Sequence, residues 1–242
     1  MKKELAMMMF DVAINEEGVE VKPVSSLAED VEKETWRRLE EEEVELEEDT
    51  ERLMRASFEA MKELKDYPAF SFGGNIYLKS SDLEELGKEV RQSMDTSLHR
   101  RLLRQGLFRV TDLELGLFVV FHEIEHTGQS EQHIQIDKAR AYEMAYDDLE
   151  DAEQEELENY LESLTIEGLE SLFRQGEEIA NQVLRKFVVE AERILHEEMD
   201  IETEADGTGA EMVFAFRKVL SELAEGDIQE IRDYFNNTKE VF

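Results

Sequence analysis

The sequence predicts a mainly α-helical protein with a small β element, an α+β fold dominated by helices. Apolar residues recur at the three- and four-residue spacing of amphipathic helices over most of the 242-residue chain. Only two prolines occur, Pro23 and Pro68, and both lie where a helical pattern begins or ends. Residues 70–78 differ, because aromatic and β-branched residues surround a Gly-Gly turn there. That pattern is typical of a strand pair or a single edge strand.

The N-terminal part is expected to contain a hairpin and one long helix. Residues 8–14 and 19–24 flank a glycine-containing turn, which is typical of two antiparallel strands. The pair Ser25-Ser26 then offers an N-cap for a helix that continues to about residue 65. The strand pair at 70–78 is expected to follow this helix.

The middle of the chain is expected to hold three further helices, each with its own boundary residues. A helix capped by Asp82 should end at Gly106, because glycine commonly terminates helices. A second helix, capped by Thr111, should end at Gly128. A third should begin at Ser130 and continue to about residue 149.

The C-terminal part has an almost unbroken helical pattern over residues 153–236. The segment Ala205-Asp206-Gly207-Thr208-Gly209 is predicted to be a loop, since glycine and aspartate favour turns. An amphipathic helix should follow it, at about 212–235. The change in pattern near residue 150 suggests two regions, 1–150 and 151–242, the second of them helical.

The net charge of −34 limits the classes of binding partner, because acidic residues outnumber basic ones by 61 to 27. Such a surface argues against binding nucleic acid phosphates or an anionic membrane. Adaptation to a high-salt cytoplasm and recognition of a basic partner both explain the charge, and its even spread along the chain favours the first. The lack of cysteine and of a signal peptide favours a cytoplasmic or virion-associated protein.

The most specific chemical pattern is His122-Glu123-Ile124-Glu125-His126. Histidines four residues apart face the same side of a helix, so His122 and His126 can bind one metal ion. A carboxylate directly after the first ligand, Glu123, is then close enough to take a proton from a water molecule on the ion. The pattern therefore predicts a divalent-metal site.

The pattern and its surroundings resemble the zincin metallopeptidases, in particular small gluzincin-like forms. The apolar helix before His122, the strand at 72–78 and Gln129 all match features of that superfamily. The resemblance implies Zn²⁺ bound by His122 and His126, Glu123 as the catalytic general base, and a peptide substrate that pairs with the strand. Residues 1–150 would then form a zincin-like metal-binding domain.

The third metal ligand is expected on the segment after the motif, at residues 137–145. We prefer Glu143, and Asp137 and His133 are the alternatives. Two positions depart from the family pattern: Glu125 is charged where the family usually has an uncharged residue, and Arg140 stands where an acidic ligand is expected.

Other interpretations use the same residues. The segment from His122 to Gln129 also resembles DinB-like metal-binding helical bundles, for which His99 is the only upstream histidine. The spacing Glu123-x-x-His126 is half of a ferritin-like carboxylate site, but the matching second half is missing. Finally, the histidines could be structural in a non-enzymatic, acidic helical assembly protein of a halophile or its virus. The long helices favour protein partners or homo-oligomerisation in either case.

Overall fold

The computed structural model describes residues 2–62, 67–94, 96–165, 168 and 182–222 and confirms a mainly helical fold with a small sheet. The parts of the predicted helical pattern at residues 169–181 and after residue 222 lie outside these residues. In chain order the elements are α1 (Lys2–Glu16), β1 (Glu20–Pro23), a 3₁₀ turn (Val24–Ser26), α2 (Leu27–Glu41), α3 (Glu48–Met61), β2 (Ala69–Phe72), β3 (Asn75–Leu78), α4 (Leu83–Ser93), α5 (Thr96–Arg104), α6 (Asp112–Gly128), α7 (Glu131–Asp147), α8 (Asp151–Ser163), α9 (Gln182–Glu198) and α10 (Asp200–Glu222).

The sheet has the strand order β1-β3-β2, with β1 parallel and β2 antiparallel to β3. The predicted strand pair at 70–78 is confirmed, and Gly73 and Gly74 form its turn with φ values of 58° and 77°. The predicted N-terminal hairpin is wrong, because residues 8–14 belong to α1. Helix α1 buries Leu5, Ala6, Met9 and Phe10, which share one helical face, and β1 pairs with the distant β3 instead.

The predicted long helix from residue 26 to 65 is interrupted. It forms α2 and α3, and residues 42–47 between them include Glu43 with a φ of 54°. This break lies in the densest run of glutamates, where like charges one turn apart disfavour a continuous helix. The two helices pack against each other through an edge-to-face contact of Trp36 with Phe58.

Helix α6 lies at the centre of the main hydrophobic core and is buried along most of its length. It packs against α4, α10 and the sheet. The contact with α4 is very close: a β-carbon on Gly116 would come within 1.9 Å of the Leu83 carbonyl oxygen. Of the helices in the described residues, none is long and apolar enough to span a membrane.

The loop predicted at residues 205–209 is wrong, because this segment is continuous helix within α10. Gly209 acts through its small size, since a β-carbon at this position would meet Phe118 of α6. The helix predicted to run without interruption from residue 82 to Gly106 is also divided, into α4 and α5. Both α5 and α10 contribute charged groups to the candidate site.

Candidate metal centre

The centre is built on the last two turns of α6. This helix begins at the predicted N-cap, where the Thr111 side chain accepts a hydrogen bond from the Glu114 backbone and Glu114 accepts one from the Thr111 backbone. His122 and His126 follow one turn apart on the face toward α10. Their Nε2 atoms are 3.0 Å apart, and their rings meet edge to face at 89°.

Glu202 of α10 completes a group of three possible ligands. One of its carboxylate oxygens is 3.5 Å from His122 Nε2, and the other is 3.5 Å from His126 Nε2. Within the described part of the chain, these three residues form the group whose donor atoms all lie within 4.8 Å of one another. Bonds of about 2.0–2.1 Å to a tetrahedral zinc ion place neighbouring ligand atoms about 3.3 Å apart. The spacing therefore suits one small divalent ion with little movement of the side chains.

Asp206 and Arg101 lie directly behind this group. An Asp206 oxygen is 3.2 Å from Nδ1 of His122, on the side of the ring away from His126. Arg101 of α5 donates two hydrogen bonds to the same carboxylate, of 2.8 and 2.7 Å, and its guanidinium is 3.4 Å from Glu202. All these side chains are at most 12% exposed. The Asp206 carboxylate therefore lies beside the buried His122 ring, and Arg101 holds Asp206 in place.

The buried charges shift the protonation of the group. Burial alone would lower the pKa of His122, but the nearby carboxylates of Asp206 and Glu202 outweigh it and raise that pKa to about 9. Burial works against ionisation of Glu202 and Asp206 too, yet His122 and neighbouring cations hold both carboxyl pKa values below their usual range. At neutral pH the metal-free cluster thus pairs two cations, His122 and Arg101, with two anions, Glu202 and Asp206.

A second set of contacts surrounds His126. Gln129 lies at the end of α6, with its Oε1 2.8 Å from His126 Nδ1, and its Nε2 donates to the Ile201 carbonyl oxygen at 2.8 Å. The backbone N–H of Ile201 donates to Asp137 of α7 at 3.2 Å. Both backbone polar groups of Ile201, the residue before Glu202, are therefore bonded by side chains: Gln129 at the end of α6 and Asp137 of α7.

The exposed rim of the cluster carries His196, at the end of α9. Its Nδ1 is 3.1 Å from a Glu202 oxygen, and its side chain is 45% exposed. Arg104 holds this end of α9 by bonding both the backbone carbonyl and the buried carboxylate of Glu197. The Glu202 carboxylate is therefore approached by histidines from two helices.

The predicted site residues are placed as follows. His122 and His126 are together, as the motif requires, and Glu123 is partly buried on the same helix. Glu143 is exposed on α7 and is not in the group of three. The alternatives Asp137 and His133 lie on α7, 4.0 Å from each other, and Asp137 accepts a hydrogen bond from the Ile201 N–H at the start of α10. The upstream His99 is exposed on α5.

Glu202 and Asp206 were not identified from the sequence. Their four-residue spacing would place both on one helical face, which is a usable pattern, but 61 acidic residues produce many such pairs. The incorrect prediction of a loop at 205–209 also divided α10, the helix that carries both residues. The group of three therefore combines His122 and His126 from the predicted region 1–150 with Glu202 from the predicted region 151–242.

Comparisons with known proteins give no family assignment. No protein-family model, curated protein or solved structure matches this chain.

Proposed function

We propose that the protein is a zinc-dependent hydrolase with peptidase-like chemistry, with His122, His126 and Glu202 as the metal ligands. The observation that carries the proposal is that two packed helices bring together the Nε2 atoms of His122 and His126, 3.0 Å apart, and the Glu202 carboxylate, which has one oxygen 3.5 Å from each nitrogen. Two imidazoles and one carboxylate are the ligand types of catalytic zinc sites that keep a fourth position open.

The surroundings of the two histidines support a metal site. Histidine ligands usually engage their second ring nitrogen with a carboxylate or another hydrogen-bond acceptor. Here Asp206 lies beside Nδ1 of His122 and Gln129 beside Nδ1 of His126, which directs both Nε2 atoms toward Glu202. A set of nitrogen and oxygen donors in this mixture favours zinc over magnesium or calcium, which prefer oxygen alone.

Glu123 is the residue proposed to move the proton during hydrolysis. A zinc ion in this position would supply Lewis acidity that makes a water molecule easier to deprotonate. Glu123 follows His122 on α6, and its negative charge contributes to the raised pKa of His122, so it is electrostatically close to the cluster. Its carboxylate would accept a proton from the attacking water and return it to the leaving amine.

The observed order of the strands changes which strand can pair with a peptide substrate. Strand β3 has β1 on one side and β2 on the other, so residues 75–78 offer no free edge to a peptide. Within the described residues the outer edge of β2 is unpaired, and β2 packs against α6. An extended peptide adding to β2 is the proposed substrate arrangement.

Zinc content measured by mass spectrometry of the purified protein tests the metal site. We expect about one zinc per chain in the wild type. His126→Ala and Glu202→Gln should both lose it. Glu143→Gln is the matched control, since it removes an exposed carboxylate of α7 and should retain zinc. Metal-free wild type would overturn the proposal, and loss in Glu143→Gln with retention in Glu202→Gln would overturn the ligand assignment.

Hydrolysis of a peptide library tests the catalytic role separately. Glu123→Gln should retain zinc and lose activity, because glutamine cannot accept the proton. Glu125→Gln is the control from the same motif, since Glu125 accepts a hydrogen bond from Thr208 of α10 and has no proposed chemical role. Equal activity in Glu123→Gln and the wild type would eliminate the general-base assignment.

A non-enzymatic role as an acidic helical scaffold is the second candidate, and one observation favours it. The cluster is already balanced without metal, because His122 and Arg101 pair with Glu202 and Asp206. Such a network could serve only to join α5, α6 and α10. The zinc measurement separates the two candidates.

A further inference from the structure

We infer that Gln129 is the positioning residue that fixes the tautomer of His126 and ties this ligand to the helix carrying Glu202. The inference rests on the proposed metal site, but its central claim concerns the metal-free protein. Gln129 has two contacts of 2.8 Å, one to an imidazole nitrogen and one to a backbone carbonyl oxygen. Together they determine where the ring proton lies.

The contact with Ile201 sets the orientation of the Gln129 amide. A backbone carbonyl oxygen accepts hydrogen bonds and cannot donate them, so the group facing Ile201 has to be the NH₂ of Gln129. The opposite orientation would place two oxygen atoms against each other. The amide oxygen of Gln129 therefore faces His126.

The amide oxygen in turn sets the His126 tautomer. Oxygen Oε1 only accepts, so Nδ1 of His126 carries the proton and donates it to Gln129. In neutral His126 the lone pair is then on Nε2, the nitrogen that lies 3.0 Å from His122 and 3.5 Å from Glu202. This is the tautomer that a metal ion at the group of three requires.

The same side chain couples two ligands that are far apart in the chain. Ile201 directly precedes Glu202, and its N–H is held by Asp137 while its carbonyl is held by Gln129. A change at Gln129 thus affects the orientation of His126 and the backbone position of Glu202 together. Gln129 also ends α6 through its backbone N–H, which bonds the His126 carbonyl, and side-chain substitution leaves this bond in place.

Nitrogen-15 NMR of the histidine rings in metal-free protein tests the tautomer. In its neutral form, His126 of the wild type should show a protonated Nδ1 and an unprotonated Nε2. Gln129→Ala should lose this preference, whereas Gln129→Glu should keep it, because a carboxylate still accepts from Nδ1. Gln135→Ala is the matched control on the exposed face of α7 and should resemble the wild type.

Zinc affinity, measured by competition with a chelating dye, supplies the second readout. Gln129→Ala should bind zinc about 10–100-fold more weakly, as expected for loss of a partner behind a histidine ligand, and Gln135→Ala should be unchanged. A wild-type His126 protonated at Nε2, or an unchanged tautomer in Gln129→Ala, overturns the inference. Equal zinc affinity in Gln129→Ala and the wild type also overturns it.

The two proposals can fail separately. If the wild type binds no zinc, the proposed function fails, and the metal-free NMR measurement still decides the role of Gln129 in fixing the tautomer. If Gln129 only stabilises the end of α6, Gln129→Ala lowers the melting temperature and leaves the His126 tautomer as it was, which refutes the positioning role. Should Gln129→Ala fail to fold, the wild-type tautomer and Gln129→Glu remain decisive.

Discussion

Gly209 of α10 lies so close to Phe118 of α6 that a β-carbon at position 209 would come within 2.7 Å of the Phe118 carbonyl oxygen. Glu202, Asp206 and Gly209 are separated by four and then three residues, so they share one face of α10. The close approach at Gly209 therefore sets the distance at which the two carboxylates meet the histidines of α6.

Gly209→Ala should push α10 away from α6. We expect destabilisation by about 1–3 kcal/mol, the usual cost of adding a methyl group to a packed interface, together with weaker zinc binding. Gly207→Ala is the control, because a β-carbon at that position meets no atom within 4 Å and alanine favours a helix. Thermal unfolding of both variants measures the difference, and a Gly209→Ala variant as stable as Gly207→Ala would contradict the interface described above.

Arg101→Gln should leave the carboxylates of Asp206 and Glu202 without their buried cation. Removing one partner of a buried ion pair costs about 3–5 kcal/mol, so the free energy of unfolding should fall by that order in urea titrations. Zinc should raise the melting temperature of this variant more than that of the wild type, because the ion replaces the missing positive charge.

The control for Arg101→Gln is Arg37→Gln. Arg37 forms ion pairs with Glu34 and Glu41 at the surface, where solvent screening makes the loss of a pair nearly neutral for the free energy of unfolding. Equal destabilisation by the two substitutions would show that burial of the Arg101 network has no special energetic role.

Glu114 should make the protein sensitive to acid. Burial alone would raise the pKa of Glu114, but Arg217 of α10 and the Thr111 backbone outweigh it and hold this pKa below the ordinary value of 4.5. A lowered carboxyl pKa stabilises the folded state above about pH 4.5, and this contribution is lost as the pH falls through the lowered pKa.

Glu114→Gln keeps a hydrogen-bond acceptor for the Thr111 N–H and removes the charge that pairs with Arg217. Urea unfolding between about pH 7 and about pH 2 should show the wild type more stable than the variant at neutral pH, with the difference vanishing in acid. Arg217→Gln should reduce the acid sensitivity in the same way. Parallel stability curves for wild type and Glu114→Gln would rule out this linkage.

Thr208→Val should weaken the contact between α6 and α10 without a change of side-chain size. The Thr208 hydroxyl donates to Glu125 at 2.8 Å, and a hydrogen bond to a charged group contributes about 1.5–3 kcal/mol. Thr203→Val is the control, since its hydroxyl bonds the nearby Met199 carbonyl and crosses to no other helix. Chemical denaturation should show the larger loss for Thr208→Val, and the reverse order would contradict the role of Thr208.

The sequence predicted the features that depend on local chemistry. Thr111, Asp82 and Ser130 cap α6, α4 and α7 as their side chains suggest, and Gly73 and Gly74 form the turn of the strand pair. The pairing of His122 with His126 follows from helical spacing alone. In each case the residues that determine the structure are within a few positions of one another.

Features that depend on distant contacts were missed. The strand β1 pairs with β3 across more than fifty residues, and no local pattern reveals that partner. Gly207 and Gly209 have the composition of a turn, yet the segment is helical, because tertiary contacts such as the close approach of Gly209 to Phe118 outweigh weak local preferences. Glu202 escapes a local pattern for the same reason, whereas Glu143 is suggested by its place on a separate helical segment after the motif.

The position of Glu202 late in the chain also affects how the protein would acquire a metal during synthesis. The two histidines of α6 leave the ribosome well before α10 has been made, so at first they can offer an ion only two ligands. The proposed three-ligand site would be complete only after α10 has docked on α6. Zinc capture would therefore report the docking of α10, and a nascent chain stalled before residue 202 should hold the ion poorly even with its histidine motif intact.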